Sequence, residues 1–232
     1  MKGILYGVGV GPGDPELLTL KAHRLIVRSR VIAYPAPDSG KSFARAIVAG
    51  FIPEDAIEIP MIVPMRTARF PAQIVYDGAA QEIATHLEAG RDVVTLCEGD
   101  PFFYGSFMYL FARLEARFDC RVVPGVSSLG AVTAAAKYPL CAREETLIVL
   151  PATLPDGELQ QRLSKADAVA VIKVGRHFAK VRTVIERLGL TQRAVFVRHA
   201  SLPEQRICPL ADAPDEAPYF SMILIPGKAA HA

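Results

Sequence analysis

The sequence predicts an α/β protein made of two α/β domains. Short apolar runs rich in valine, isoleucine and leucine alternate with amphipathic segments along almost the whole chain, which is the pattern of strands and the helices that cover them. A glycine-rich loop (9–13) and an acidic, aromatic loop (98–106) follow two of the apolar runs. We predict a mainly parallel sheet in an N-terminal domain, 1–123, and a mixed sheet in a C-terminal domain, 124–232.

Strand and helix signals alternate through the N-terminal half. Asp14 can cap a helix that has Pro15 at its first position and Glu16 in its first turn, with an apolar face over positions 17–26. Further helices are predicted to begin near residue 42 and to span 71–89, closed by Gly90, and 106–117. Strands are predicted at 4–8, 31–34, 57–61, 93–97 and 120–123.

The C-terminal half begins with a small-residue helix at 129–136. Strands are then predicted at 146–150, 168–173 and 194–197, with helices at 157–164 and 178–188 between them. The tail differs, because only a proline-rich connection separates the apolar segments 206–208 and 219–225. We predict that these two segments pair with each other as antiparallel strands.

Composition restricts the class of protein. The 232 residues are 51% hydrophobic and 22% charged, which is sufficient for a sizeable core in a globular chain. No apolar run approaches the ~20 residues of a membrane-spanning helix, and a glycine at position 3 interrupts the N-terminus too early for a signal peptide. The four cysteines are scattered and no histidines cluster, so we predict a cytoplasmic protein with reduced cysteines and no metal site.

Spacing excludes two nucleotide-binding motifs. The dinucleotide motif G-x-G-x-x-G would require glycine where Pro12 or Asp14 stands, and the expected acidic residue does not follow the next strand. Segment 37–42 resembles the end of a P-loop, but that motif needs a glycine in place of Pro35. A formal net charge of +2 is too small to indicate nucleic acid as a partner.

The acidic loop after the predicted strand 93–97 is the strongest candidate site. Glu98 and Asp100 stand at the carboxyl end of a buried strand, where open α/β sheets bind their ligands. Gly99 and Gly105 allow a ligand to approach the backbone, and Pro101 stiffens the turn. The alternative is a loop that only caps the helix beginning near residue 106.

Three segments together resemble the tetrapyrrole methylase family. Val8 to Thr19 is similar to the family's N-terminal signature, the acidic loop to its second motif, and Pro124 to Ser128 to its third. The segments occur in the family's order, and the likeness extends over essentially the whole chain. The resemblance implies S-adenosyl-L-methionine as methyl donor, S-adenosyl-L-homocysteine as its product and a tetrapyrrole substrate. It also implies a homodimer in which the donor lies in a cleft between the two domains of a subunit.

The Glu-Gly-Asp-Pro-Phe-Phe-Tyr-Gly-Ser form of the second motif is typical of the branch that methylates precorrin-2 at its meso carbon C20, to give precorrin-3A in cobalamin biosynthesis. Segments 41–45, 59–61 and 172–176 are also similar to that branch. A cobalt-containing ring, cobalt-factor II, is an open alternative, since nothing in the sequence separates metal-free from metal-containing substrate. An RNA ribose methylase of the same fold would need a more basic chain. A non-enzymatic tetrapyrrole carrier would have no use for a donor site.

The resemblance also implies which residues contact the methyl donor. They lie on loops rich in glycine, proline and serine and at three later positions: Pro12, Gly99, Asp100, Pro101, Phe103, Ser127, Ser128, Val174, Ala200 and Met222. Such loops offer carbonyls, hydroxyls and one carboxylate to a ligand that carries a sulfonium, an amino acid, a ribose and an adenine. Ser127 and Ser128 have an equally good interpretation as caps of the following helix.

The chemistry demands little from side chains. Carbon C20 is flanked by enamine-like units and is therefore nucleophilic, so alignment of the two reactants ~3 Å apart supplies most of the catalysis. A proton must leave C20 afterwards. The candidate catalytic residues Asp100, Glu98 and Tyr104 could accept or relay it, with water as an alternative. Asp100 is expected mainly to position the donor.

Precorrin-2 bears eight carboxylates, so the residues that bind it are expected to be basic. The candidates lie in loops or at the ends of predicted elements: Arg45, Arg66, Arg69, Arg176, His177, Arg198 and His199. For any single one of them, a solvated surface charge is an alternative. Arg176 and His177 are the best placed, because they directly follow a predicted strand.

Overall fold

The computed structural model describes residues 1–38, 40–63 and 69–229, except for the side chains of 69–72. The chain divides into two compact units, Met1–Ser127 and Ser128–Ala232, and each contains a five-stranded sheet with helices. The sequence prediction puts the boundary after residue 123, where the last strand of the first sheet ends. None of the helices in the described part of the chain is both long and apolar enough to span a membrane.

The first sheet is parallel throughout, which confirms the prediction for the N-terminal half. Its strands are β1 (Leu5–Gly9), β2 (Val31–Pro37), β3 (Ile57–Val63), β4 (Val93–Cys97) and β5 (Cys120–Val123), in the order β3-β2-β4-β1-β5. β1 lies between β4 and β5 and is parallel to both. The carboxyl ends of these three strands are therefore neighbours, although they are far apart in the sequence.

Both faces of the first sheet are covered, as a parallel sheet requires. α1 (Leu20–Ile26) and α2 (Phe43–Ile47) cover one face, and α3 (Arg69–Glu88) and α4 (Phe107–Leu114) cover the other. Phe107 packs directly on Gly7 of β1, where a Cβ atom would overlap its ring. Side chains alternate along β4, so that Val93 and Cys97 face α3 and α4 while Leu96 faces α1 and α2.

The first helix begins later than the sequence predicts. Asp14 is indeed a cap, but of a single 3₁₀ turn, Pro15–Leu17, where its side chain accepts a hydrogen bond from the N–H of Glu16. The side chain of Thr19 then caps α1, which begins at Leu20. The prediction of a helix from position 15 is therefore wrong, because the 3₁₀ turn ends at Leu17 and α1 begins only after the second cap, Thr19. Leu20, predicted on the apolar face, is 81% exposed.

The second unit has a mixed sheet, as predicted. β6 (Leu147–Pro151), β7 (Ala168–Ile172), β8 (Val195–Arg198), β9 (Arg206–Pro209) and β10 (Ser221–Ile225) lie in the order β6-β7-β10-β8-β9. The prediction that 206–208 and 219–225 pair with each other is wrong, because β8 lies between β9 and β10 and is antiparallel to both. All five residues of β10 are buried, and insertion between β7 and β8 gives this apolar strand a neighbour on each side.

Three helices complete the second unit: α5 (Ser128–Ala136), α6 (Asp156–Leu163) and α7 (Phe178–Arg187). α6 and α7 pack on one face of the sheet, where the rings of Phe178 and Phe196 lie 5.2 Å apart. Val132 of α5 belongs to the apolar cluster on the opposite face. The predicted helices of this half agree with the observed ones to within one residue at each end, because their apolar periodicity is uninterrupted.

Candidate active site

Three loops meet at the carboxyl end of the first sheet, one after each of the adjacent strands β4, β1 and β5. They comprise residues 98–106, 10–14 and 124–127, which are the segments that the sequence singles out. We call their contact the three-loop junction. The neighbouring strand ends bring the loops close enough to touch through their backbones, at the edge of the sheet where parallel α/β proteins bind ligands.

A pair of backbone hydrogen bonds joins the first two loops. The N–H of Gly99 donates to the carbonyl oxygen of Gly11 at 2.8 Å, and the N–H of Gly11 donates to that of Gly99 at 3.3 Å. Both residues have positive φ, +80° at Gly11 and +61° at Gly99, a backbone conformation that favours glycine. Each loop therefore holds the other in position.

The third loop touches both of the others at Gly125. A Cβ atom on Gly125 would overlap the carbonyl oxygen of Gly99 and lie 2.8 Å from the Cα of Gly9. A Cβ atom on Gly9 would in turn lie 2.5 Å from the same oxygen and 2.6 Å from the Cα of Gly125. Backbones approach so closely only where side chains are missing, so the glycines at 9 and 125 are a steric requirement of the junction.

The carboxylate of Asp100 forms hydrogen bonds within the second loop and with the third loop. Its Oδ1 accepts hydrogen bonds from the N–H groups of Phe102 and Phe103, both at 2.9 Å. Its Oδ2 accepts one from the N–H of Gly125 at 3.1 Å. Both oxygens of this carboxylate thus organise the backbone of the three-loop junction, a role that the sequence did not indicate. Direct contact of Asp100 with a methyl donor stays a prediction.

The aromatic side chains of the second loop divide into two groups. Phe102 lies against α4, with its ring centroid 5.3 Å from that of Phe111 and 5.9 Å from that of Phe107. Phe103 and Tyr104 contact each other edge to face and are 39% and 44% exposed. Tyr104 has a φ of +58°, which is strained for a bulky residue and is typical of functional loops.

Glu98 stands at the base of the second loop, in contact with solvent but closely surrounded by protein atoms. The resulting loss of hydration raises the pKa of its carboxyl group, and a hydrogen bond from the backbone N–H of Ala44 opposes part of this shift. Ala44 lies in the first turn of α2. Glu98 therefore keeps free acceptor capacity, whereas Asp100 accepts three backbone hydrogen bonds.

The thiol that directly precedes the second loop is unreactive. Cys97 ends β4 and is buried, which raises the pKa of its thiol and keeps it protonated at neutral pH. Among the residues that the structure describes, no three His, Cys, Asp or Glu side chains are grouped so that they could hold a metal ion. The exposed side chains that the second loop offers to a ligand are Glu98, Phe102, Phe103 and Tyr104.

The remaining donor contacts predicted for the N-terminal half lie on the same loops. Pro12 is half-buried in the first loop and Pro101 is buried in the second. Ser127 ends the first unit and Ser128 is the exposed first residue of α5. Within the first unit, the structure therefore brings Pro12, the 99–103 turn and Ser127 to one end of the sheet.

In the second unit, one edge of the sheet collects the residues predicted for that half. β7 and β8 end there and β10 begins there, because Ser221 pairs with Arg198 and β10 is antiparallel to β7. Val174 and Ala200 follow the two strand ends, and Met222 is the second residue of β10. Val174 and Met222 are buried, so their backbone groups are what they can offer to a ligand.

Four of the seven predicted substrate-binding cations lie at this edge of the second sheet. Arg176 and His177 form a 3₁₀ turn after β7, with Nε of the arginine 3.5 Å from Nε2 of the histidine. Loss of hydration, with the nearby charges of Lys180 and Arg176, lowers the pKa of His177. Arg198 and His199 stand at the end of β8, and the φ of His199 is +51°. The fold therefore brings these four of the seven candidates to one end of the second sheet.

Arg45, by contrast, has a partner inside the first unit. Its Nε and Nη2 donate to the two carboxylate oxygens of Glu58 at 2.6 and 2.7 Å, a bidentate ion pair, and Tyr34 is hydrogen-bonded to the pair. Sequence reasoning missed Tyr34 and Glu58. Their signal was a polar side chain on each of two adjacent, mostly apolar strands. Arg66 lies outside the described residues, and Arg69 begins α3 with a side chain that is not described.

Comparison with known sequences finds the family described as tetrapyrrole (corrin/porphyrin) methylases, whose profile matches residues 4–214. The chain is 44% identical over 235 residues to the cobalamin biosynthesis protein CobIJ of Mycobacterium tuberculosis, covering 97% of this chain and 46% of that one. It therefore spans about half the length of the mycobacterial relatives that it matches. It is 40% identical to a Sinorhizobium precorrin-2 C(20)-methyltransferase, with 97% and 96% covered. Identity to the Salmonella typhimurium cobalt-precorrin-2 C(20)-methyltransferase is 31%, with 97% of each covered.

Solved structures with this two-sheet fold include two methyltransferases. The cobalt precorrin-4 methyltransferase CbiF superimposes with a TM-score of 0.77 at 25% identity, over 99% of this chain and 96% of that one. A uroporphyrin-III C-methyltransferase of Thermus thermophilus, solved with S-adenosyl homocysteine, gives 0.70 at 24% identity, over 97% and 98%. These likenesses confirm the predicted fold class.

Proposed function

The chain belongs to the tetrapyrrole (corrin/porphyrin) methylase family, and from this premise we propose that it transfers a methyl group from S-adenosyl-L-methionine to carbon C20 of precorrin-2. The products would be precorrin-3A and S-adenosyl-L-homocysteine, in cobalamin biosynthesis. The observation that carries the proposal is the 40% identity to a precorrin-2 C(20)-methyltransferase over 97% of this chain and 96% of that enzyme.

The three-loop junction supports the donor assignment, since it suits a ligand bound mainly by backbone groups. Its loops are fixed by the Gly11–Gly99 hydrogen bonds and by Asp100, so binding need not order them and loses less entropy. We propose donor contacts at Pro12, Gly99, Asp100, Pro101, Phe103 and Ser127 in the first unit and at Ser128, Val174, Ala200 and Met222 in the second.

Methyl transfer needs alignment more than it needs an acid or a base. The sulfonium makes the methyl group electrophilic, and the new C–C bond forms as the C–S bond breaks to leave a neutral thioether. The protein contributes by holding the donor methyl ~3 Å from C20 and in line with it. We therefore expect the geometry of the loops, rather than any one side chain, to limit the rate.

Glu98 is the group that we propose for the proton that leaves C20 afterwards. It has acceptor capacity to spare, whereas both oxygens of Asp100 already accept backbone hydrogen bonds. Loss of hydration raises the pKa of Glu98, which makes its carboxylate a stronger base. Tyr104, exposed in the same loop, and water are the alternatives.

The pH dependence of turnover tests the role of Glu98. Glu98 must be ionised to accept a proton, so turnover falls as the pH drops through its pKa, which lies above the ordinary value for glutamate. Glu98→Gln is expected to retain measurable turnover, because water can take the proton, but to lose this acidic limb. Glu158→Gln, at an exposed position of α6, should keep the limb. An acidic limb that persists in Glu98→Gln would assign the proton to another group.

The cations at the edge of the second sheet are our candidates for binding the carboxylates of the substrate. Arg176, His177, Arg198 and His199 supply donors there, and Arg66 and Arg69 remain candidates from the sequence. Arg45 is a weaker candidate, because Glu58 occupies two of its N–H donors. A substrate with many carboxylates would engage several of these cations, so that no single one should be indispensable.

A cobalt-containing substrate, cobalt-factor II, is the second candidate. The 31% identity to a cobalt-precorrin-2 C(20)-methyltransferase favours a cobalt-containing ring. Parallel assays with metal-free and cobalt-containing rings, at equal concentration and with the same donor, would separate the two. Faster turnover of the cobalt-containing ring would make that ring the substrate in place of precorrin-2. The proposed reaction, methyl transfer to C20, would stay the same.

Carbon NMR of the product made with a ¹³C-methyl donor tests the reaction itself. We expect a single labelled methyl group on C20. Label on C1 or C17 would place the chain in another branch of the family, and the absence of label from the ring would contradict the proposal.

We further propose a cytoplasmic homodimer, for which light scattering should give twice the 25.1 kDa of one chain.

A further inference from the structure

The first unit contains a pocket of about 450 Å³ that none of the predicted active-site residues line. Tyr6, Val94 and Arg121 come from the three adjacent strands β1, β4 and β5 and share one row of the sheet. The rest of the lining comes from α1, the turn after it and the start of β4: Lys21, Arg24, Leu25, Arg28, Ser29 and Asp92.

This pocket lies at the opposite end of the sheet from the three-loop junction. Tyr6 and Arg121 are the second residues of β1 and β5, and Val94 is the second residue of β4. The junction begins where the same strands end. Four residues of extended chain separate Val94 from Glu98, which corresponds to about 13 Å. A ligand in the pocket and a ligand on the loops can therefore be bound at the same time.

Positive charge is concentrated around the pocket. Four cationic side chains and one carboxylate give the lining a formal charge of +3, more than the +2 of the whole chain. The carboxylate, Asp92, already accepts a hydrogen bond from the N–H of Ile4. Arg121 is paired with Asp119 at 2.7 Å. The side chains of Lys21 and Arg28, by contrast, make no hydrogen bond or ion pair within the described residues.

The floor of the pocket is largely apolar. Val94 is buried, Leu25 is half-buried, and the hydroxyl of Ser29 donates to the carbonyl of Val31 and so is already satisfied. The ring of Tyr6 forms one wall, with the guanidinium carbon of Arg121 6.0 Å from its centroid. An apolar floor with an aromatic wall and a cationic rim suits a ligand with a flat or apolar body and charged ends.

We propose that this pocket binds a small organic anion that carries two or more phosphate or carboxylate groups, separately from the methyl-transfer site. The anionic groups pair with Lys21 and Arg28, the two lining cations that have no partner in the part of the chain that the structure describes, and with Arg24. The body of the ligand covers Tyr6 and Leu25. The volume of the pocket falls within the range of small-molecule sites.

Calorimetric titration with adenosine 5′-triphosphate and with citrate tests the proposal, with adenosine as the uncharged probe. All titrations contain saturating S-adenosyl-L-homocysteine, so that an adenosine group cannot report on the donor site. We expect one or both anions to bind, adenosine not to bind, and the affinity to fall with ionic strength. Binding of triphosphate alone would identify phosphate as the preferred group, and binding of citrate alone would identify carboxylate.

Matched charge variants locate the binding. Lys21→Gln with Arg28→Gln should weaken anion binding about tenfold or more, because it removes both unpaired cations. The control, Lys165→Gln with Arg187→Gln, removes the same charge from exposed positions of the second unit and should leave the affinity unchanged. Equal weakening in the two variants, equal affinity for adenosine and its triphosphate, or failure of both anions to bind would overturn the proposal.

Discussion

Replacing Gly125 by alanine is expected to lower turnover at least about a hundredfold and to destabilise the protein by about 1–3 kcal/mol, the range for overpacking of a tight site. The new Cβ would overlap the carbonyl oxygen of Gly99 and crowd the Cα of Gly9. These neighbours are backbone atoms, so relief requires that the loops move apart. A displacement of about 1 Å is enough to cost a hundredfold in rate when alignment supplies the catalysis.

Gly78→Ala is the matched control for Gly125→Ala. Gly78 lies in α3 of the same unit, and a Cβ atom there meets nothing within 4 Å. This change should stabilise the protein by about 0.5–1 kcal/mol, because glycine is unfavourable within a helix, and should leave turnover unchanged. Chemical denaturation and steady-state assays measure both quantities. Near-normal turnover in Gly125→Ala would mean that the junction tolerates separation of its loops and does not set the rate.

Asp100→Asn is expected to weaken donor binding roughly tenfold to a hundredfold, which corresponds to about 1.5–3 kcal/mol for a hydrogen bond to a charged group. The amide keeps one oxygen acceptor, but its NH₂ group would face either the N–H of Gly125 or those of Phe102 and Phe103. One side of the junction therefore loses its hydrogen bonds whichever way the amide is turned. Calorimetry with S-adenosyl-L-homocysteine would measure the loss.

Asp38→Asn makes the same chemical change in an exposed turn of the first unit and should have no effect on donor binding. The melting temperature of Asp100→Asn should also fall, because the junction loses hydrogen bonds, whereas that of Asp38→Asn should not change. Equal donor affinity in Asp100→Asn and Asp38→Asn would contradict the assignment of the site.

The strands of the first sheet could be predicted well from the sequence, because a parallel sheet buries both faces. β4 and β5 have the bounds 93–97 and 120–123 that the apolar runs predict. The first helix could not be placed correctly from Asp14 alone, because Thr19 is a second cap and the chain is extended at Leu18 between them. The sequence identifies possible caps, and packing decides which of them begins α1.

The sequence singled out the segments that form the three-loop junction, but not the contacts within it. The resemblance and the strand-end rule both selected the loop 98–106, which the fold places beside the other two segments. The hydrogen bond of Asp100 with Gly125 and the ion pair of Arg45 with Glu58 depend on residues that folding brings near. No sequence spacing encodes such contacts. The same reason explains why the order of β8, β9 and β10 was missed.

The three-loop junction can form only late in the folding of the first unit. Its loops follow β1, β4 and β5. The contact between Gly9 and Gly125 can therefore form only after nearly the whole first unit has left the ribosome. Contacts between such distant segments form late, because a long intervening chain must close first. β5, a four-residue strand at the margin of the sheet, supplies the final piece. A nascent chain that ends directly before Gly125 therefore contains β1 to β5 but not the contacts of Gly125 that complete the junction.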